Sequence, residues 1–280
     1  MILFSILPFP VERIRLGLYE RSRAMNPILQ KLLSVENGIG LCWLGNLGWL
    51  IRAGGRLIAF DLDLDRNSRL RPSPVSTQDI APALDIEFIT HGHGDHFSEP
   101  TSRILTGASG CRFVLPANCL EKARTLGIPE DRITVARPHQ PFEIAGIPVE
   151  PRRALHGHTN FTVYRHANLD DCGYVLTLNG RKLYQPGDTV LLQEHFEDFS
   201  DVHILFVSPT LHNTHIRASA ALIEAIRPAH IFPQHFGTYA PTEKNSYWTV
   251  GYPDELRDAL PADLQARFHK LDQGVVFVVE

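Results

Sequence analysis

The stretch His91-Gly92-His93-Gly94-Asp95-His96 (HGHGDH) puts three imidazoles and one carboxylate into six residues. Imidazole nitrogen and carboxylate oxygen together suit zinc, manganese or iron. The interleaved glycines let the backbone turn tightly, so several rings can aim at one point. Such crowding does nothing useful in an apolar core unless a cation is shared. His91 and His93 alternate as two ligands of one ion would. Asp95 and His96 come from the next step of the loop and reach toward a second.

One segment cannot complete two coordination spheres, so the remaining ligands must arrive from elsewhere. IEFIT (86–90) reads as a buried strand that ends at His91. Asp188 sits in LYQPGDT, and His235 in IFPQHFGT, each just after a strand. If these strands lie side by side, their ends converge at one edge, where layered folds gather ligands. ALHGHTNF (154–161) adds His156 and His158 after the strand IPVEPRRAL. An extended backbone puts both rings on one face and only one is needed; His156 is favoured, with His158 as the alternative.

Outward from the motif, IGLCWL, GWLIRA and RLIAFD are short apolar runs split by glycines, read as a meander over residues 39–61. Residues 10–36 read as an amphipathic helix with Ile14, Leu18, Ile28 and Leu32 on its apolar face. Residues 65–83 are a polar connection. Helices are expected at 98–107, 117–126 and 215–227, the last closed by Pro228, and near 253–260 and 262–269. Further strands fall at 112–115, 132–136, 142–155, 173–178, 181–185, 202–208 and 230–233, with GVVFVV last. Many strands per helix predict two sheets with helices outside. The expected organisation is one domain over 1–280, with an N-terminal extension (1–36) and C-terminal helices and a strand (240–280).

The composition, 44% apolar and 21% charged over 280 residues, supports an ordinary core and excludes disorder. A net charge of -4 argues against a nucleic-acid partner. The four cysteines form no CxxC pair and read as reduced thiols. MILFSILPFP lacks a leading basic residue and a cleavage site, and no apolar run reaches the roughly 18–20 residues of a membrane span. These features predict a cytoplasmic protein with no membrane span; a homo-oligomer is compatible, with the first ten residues packed on the body or at a subunit contact. No GxSxG, P-loop or GxGxxG offers a competing chemistry.

Read in order, IAFD, HGHGDH, ALH followed by CGYVL, QPGD and PQHF resemble the metallo-β-lactamase superfamily over about residues 40–240. The resemblance implies an α+β fold, a four-layer αββα sandwich. It implies one metal on His91, His93 and His156, a second on Asp95, His96 and His235, and Asp188 bridging them. Asp61 is similar to the family's aspartate that orients a ligand, though a turn carboxylate in DLDLD is an equal reading. GNLGWLI, PTLHNTHIRASAALIEAIRP and NSYWTVGYPDEL look most like the branch containing L-ascorbate-6-phosphate lactonase.

The implied activity is hydrolysis of a small, possibly phosphorylated, lactone or ester by a metal-bound hydroxide at a dinuclear site. Two divalent ions, zinc or manganese with iron as a further option, would serve it, and Asp95 would orient the nucleophile or carry its proton. A phosphodiesterase on a nucleotide or lipid would use the same site. Di-iron redox relatives typically carry Glu where His93 stands, and a non-catalytic module would lack ligands. His212, Asn213 and His215 lie on the ligand-bearing edge and either bind a phosphate or carboxylate or cap the following helix. Tyr239, Tyr247 and Trp248 either wall the pocket or belong to the core.

Overall fold

The computed structural model describes residues 25–159, 162–197 and 201–280. The expectations for the first ten residues, and for a helix as far as residue 24, lie outside the described residues. In chain order the strands are β1 (Ile39–Gly45), β2 (Gly48–Ala53), β3 (Arg56–Phe60), β4 (Ile86–Phe88), β5 (Arg112–Pro116) and β6 (Ile133–Ala136). They continue as β7 (Phe142–Ile144), β8 (Ile147–Arg153), β9 (Cys172–Leu178), β10 (Arg181–Gln185), β11 (Val202–Val207), β12 (His230–Pro233) and β13 (Val276–Val279). The helices are α1 (Pro27–Leu33), α2 (Thr77–Ile80), α3 (Glu99–Ala108), α4 (Leu120–Thr125), α5 (His215–Ile226), α6 (Ser246–Thr249), α7 (Pro253–Ala259) and α8 (Ala262–Gln265).

Two mixed sheets result, in the orders β13-β1-β2-β3-β4-β5-β6 and β12-β11-β10-β9-β8-β7. β1 is buried along its whole length, because both faces of its sheet are covered. Ile39, Leu41 and Trp43 point into the inter-sheet core with Trp49, Phe60 and Phe88, and meet Tyr174, Phe206 and Phe232 from the second sheet. The intervening residues Cys42 and Leu44 face outward onto Leu29, Leu32, Ile80 and Leu105 of the flanking helices. On the far side, Leu205 and Val207 pack against Leu222 and Ile223 of α5 and Leu256 of α7. Each fully buried large apolar side chain contributes about 1.5–3 kcal/mol, so the three cores hold the four layers together. The architecture is the αββα sandwich.

Strand direction places the chemistry. β3 to β6 run parallel, as do β10 to β12, while β8 and β10 each run antiparallel to β9 and hence with one another. The loops after β3, β4, β8, β10 and β12 therefore leave carboxyl ends of parallel strands, which is where such sheets collect ligands.

Several predicted boundaries move. The described part of the first helix is α1 alone, started by Asn26, whose side chain accepts from the amides of Ile28 and Leu29, with Pro27 behind it. The single strand expected over 142–155 is a hairpin, β7 and β8, turning through Ala145 and Gly146, both with positive φ. The helix expected over 262–269 ends at Gln265. The chain then lies along the edge strand β12, with the Ile231 amide donating to Arg267 and the His269 amide to Ile231, at 2.9 and 2.8 Å. That segment covers an edge that would otherwise be open to pairing. None of the described helices is long and apolar enough to cross a membrane.

Candidate metal centre

The loop after β4 turns back on itself, the amides of His96 and Phe97 both donating to the His93 carbonyl. The Lys122 ammonium donates to the Gly92 carbonyl at 2.8 Å and fixes its outer side. The result is two triads. Nitrogens of His91, His93 and His156 lie within 4.8 Å of one another, and so do the ligating atoms of Asp95, His96 and His235. Asp188 stands between them. Its Oδ2 lies 3.5 Å from His96 Nε2, 3.4 Å from His156 Nε2 and 3.3 Å from His235 Nε2.

The Nε2 atoms of His91, His96 and His235 are buried without a hydrogen-bond partner. An unsatisfied buried polar atom costs about 1–3 kcal/mol, and three facing one centre would be costly unless a cation took their lone pairs. The donor set, imidazole nitrogens plus two carboxylates, fits divalent transition ions.

The outer contacts orient the rings. Asp61 is fully buried and accepts from the Thr90 amide (2.8 Å) and the Thr90 hydroxyl (2.6 Å). Its Oδ2 is 2.8 Å from His96 Nδ1. A carboxylate flanked in this way accepts, so Nδ1 of His96 carries the hydrogen and Nε2 turns to the centre. His156 Nδ1 donates to the Gly157 carbonyl at 2.7 Å, with the same effect. Asp188 is held from both sides: His212 Nε2 reaches Oδ2 at 2.8 Å and the Asn213 amide donates to Oδ1 at 2.8 Å. Gly157 makes room for this arrangement, because a Cβ there would meet the His212 carbonyl oxygen at 1.8 Å.

The protonation states suit a cation. Burial, then the neighbouring His96, holds His91 well below the usual histidine value. Burial, then His156, lowers His93 to about 4. Burial pushes Asp188 up, but His235, His96 and His212 outweigh it and keep the carboxyl well below the usual range. Burial alone would lower His96, yet Asp188, Asp95 and Asp61 together raise it well above the usual histidine value.

A cavity of about 240 Å³ opens onto the centre. His93, Asp95, His156 and Asp188 line it together with His158, Tyr164, Tyr247 and Trp248. Among the described residues, no Lys or Arg lines it.

All seven sequence-predicted ligands meet here. Between the two candidates for the third ligand, His156 joins His91 and His93, while His158 lies on the rim with its ring stacked toward Tyr164. His212 and Asn213 bind Asp188, whereas the cap position of α5, Thr214, makes no side-chain cap bond. Of the two readings of Tyr239, the core one holds: it is buried, donates to Asp63 and is not among the residues lining the cavity. Its phenol serves the DLDLD turn, where Asp63 also pairs with Arg66.

Sequence reasoning passed over Asn46, Thr90, Gln185 and Gln234. Asn46 donates to Asp95. The amides of Gln185 and Gln234 bond each other, and Gln234 also accepts from Trp49 and donates to Ser208, under the Asp188 and His235 loops. All four sit inside quoted stretches (GNLGW, IEFIT, QPGD, PQHF), so a polar residue beside a ligand at a strand end was the available signal.

The profile of the Beta-lactamase superfamily domain matches residues 47–236, more than half of the chain. The chain belongs to the metallo-β-lactamase superfamily. Within this superfamily it is similar to a UPF0173 metal-dependent hydrolase from Roseiflexus sp., 26% identical over 228 residues that cover 78% of this chain and 88% of the relative. Among solved structures, Igni18, a metallo hydrolase from Ignicoccus hospitalis, superposes with a TM-score of 0.67 at 18% identity, covering 87% of this chain and 100% of that one. The isothiocyanate hydrolase from Delia radicum gut bacteria superposes with a TM-score of 0.66 at 17% identity, over 86% and 99% of the two chains. At these identities the structural likeness speaks to the shared metallo-β-lactamase fold.

Proposed function

We propose that this protein is a metal-dependent hydrolase with a dinuclear centre, acting on a small lactone or ester. The observation that carries the reading is the pair of triads with Asp188 between them. His91, His93 and His156 would hold one ion, Asp95, His96 and His235 the other, and Asp188 both. The name of the Roseiflexus relative, a metal-dependent hydrolase, points the same way.

Bound divalent cations supply Lewis acidity to such a site, polarising a substrate oxygen and making water a stronger acid. The chain's own residues supply the rest. Burial raises Asp95, but His96 and His235 outweigh it and keep the carboxyl below its usual range. An ionised Asp95 lining the cavity is placed to orient an attacking water and take its proton. His212 and Asn213 fix Asp188, so the ligand set does not rearrange when substrate enters. Tyr164, Tyr247 and Trp248 exclude water above it and give a flat substrate an apolar surface.

Sequence likeness to the lactonase branch supports a lactone or ester. The cavity supports an unphosphorylated one, because phosphate recognition uses Arg or Lys at close range and the described walls have neither. Purified protein is expected to carry about two transition-metal ions per chain by elemental analysis. The zinc- and manganese-loaded protein is expected to hydrolyse acyl esters and lactones ahead of phosphodiesters. Full turnover after exhaustive chelation would overturn the metal chemistry, and a clear preference for phosphodiesters would overturn the substrate class.

A further inference from the structure

One buried residue touches two of the three members of a single triad, and nothing in the proposed chemistry accounts for it. Asn46 occupies the turn between β1 and β2, 2% exposed, with φ at 48°. Its side-chain amide donates to the Asp95 carbonyl at 3.2 Å and to Asp95 Oδ2 at 3.1 Å. Its carbonyl accepts from the His235 amide at 3.0 Å and from the Trp43 indole at 2.9 Å. Its own amide donates to the Thr238 hydroxyl at 2.6 Å. His235 and Thr238 belong to the loop after β12, so a single turn of the first sheet fastens the two loops that deliver Asp95 and His235.

Among the described residues, none outside the centre hydrogen-bonds two members of the other triad. His156 is oriented by its own neighbour Gly157, and His91 by the adjacent Thr90. The hydrogen-bonding chemistry of Asn46 is also specific. A neutral amide can fix the rotation of a carboxylate while leaving its charge for a cation, which neither an ammonium nor a second carboxylate would do. The left-handed backbone turns the amide inward and leaves both main-chain groups facing the His235 loop; asparagine is among the few side chains that tolerate it.

Resting on the two-ion reading above, we infer that Asn46 is the positioning residue for the ion held by Asp95, His96 and His235, and that it sets the affinity of that ion apart from the other.

The test is a calorimetric titration of chelator-stripped full-length protein with Zn(II), repeated with Co(II) absorption as the coordination signature. The variant is Asn46→Gly, which keeps the positive φ and both main-chain bonds and removes the amide alone. His235→Ala identifies which binding step belongs to the second triad. In Asn46→Gly that step is expected to weaken by about 10–100-fold, with the other changing by less than about threefold. Should the glycine variant not fold, Asn46→Asp, equal in shape but presenting an acceptor to Asp95, is expected to weaken the same step. Thr238→Val loosens the turn without touching Asp95, and both steps are expected to hold. Equal weakening of both steps in Asn46→Gly, or the same selective loss in Thr238→Val, would overturn the assignment to the amide. A wild-type chain that binds only one ion would instead overturn the two-ion reading, and this inference with it.

Discussion

Strand β12 carries histidine at both ends, and the two ends behave differently. Past its carboxyl end, His235 joins His91, His93, His96, His156 and His212 around two carboxylates. At its start, His230 meets His269, Nδ1 to Nε2 at 3.0 Å, with the His203 ring 5.4 Å away and Phe232 and Phe277 beside it. Among the described residues, no three metal-type ligands gather at that second cluster. One ring donates to the other, and the proton they share satisfies both nitrogens. The contrast shows that histidine density alone does not make a centre. Carboxylates that only accept, and strand ends that aim several rings at one point, separate the two.

The sharpest way to break the comparison is Asp188→Ala. Removing the acceptor between the triads is expected to lower turnover by well over the roughly 100-fold that outer-contact changes cost, with the fold retained by circular dichroism. Activity near wild type would remove the distinction between the clusters. Next, His230→Gln is expected to leave the metal content unchanged by elemental analysis. Loss of an ion would mean that the second cluster binds metal after all.

The smallest effect is in acid. Burial, then His269 and His203, lowers His230 to about 4 from an ordinary 6.5. Between these values the unfolded chain binds more protons at this ring than the folded chain does. Stability therefore rises with pH across the window and is lost as pH falls from about 6.5 toward 4. Denaturant titrations over that range are expected to give a shallower slope in His230→Gln; an unchanged slope would place the proton elsewhere.

Much of the candidate centre was legible because side chains able to hold a metal leave local marks. HGHGDH is compact, and Asp188 and His235 each follow shortly after a strand, in QPGD and PQHF. The two-sheet sandwich was legible for the same reason: β1 and β2 are apolar on both faces, as covered strands must be. What stayed hidden depends on three-dimensional contact. The favoured His156 does join His91 and His93, but the close approach of Gly157 to the His212 backbone beside it left no trace in ALHGHT. Tyr239 lies four residues from His235, yet it points to Asp63, because its loop folds back over the DLDLD turn. The hairpin at Ala145-Gly146 was missed because apolar residues run across it, and a left-handed turn needs only two residues to reverse a strand.

Asn46, Asp61 and His235 hold φ at 48°, 42° and 65°. Glycine would sit in all three places without strain, while a side chain costs about 1 kcal/mol at each. Relief by glycine would be outweighed at Asp61, whose carboxylate satisfies the Thr90 amide, the Thr90 hydroxyl and His96 Nδ1, because buried polar groups left without partners cost about 1–3 kcal/mol each. The strained turns are thus held by what their side chains reach: the His235 ring beside Asp188, the Asp61 carboxylate beside His96 and the Asn46 amide on Asp95.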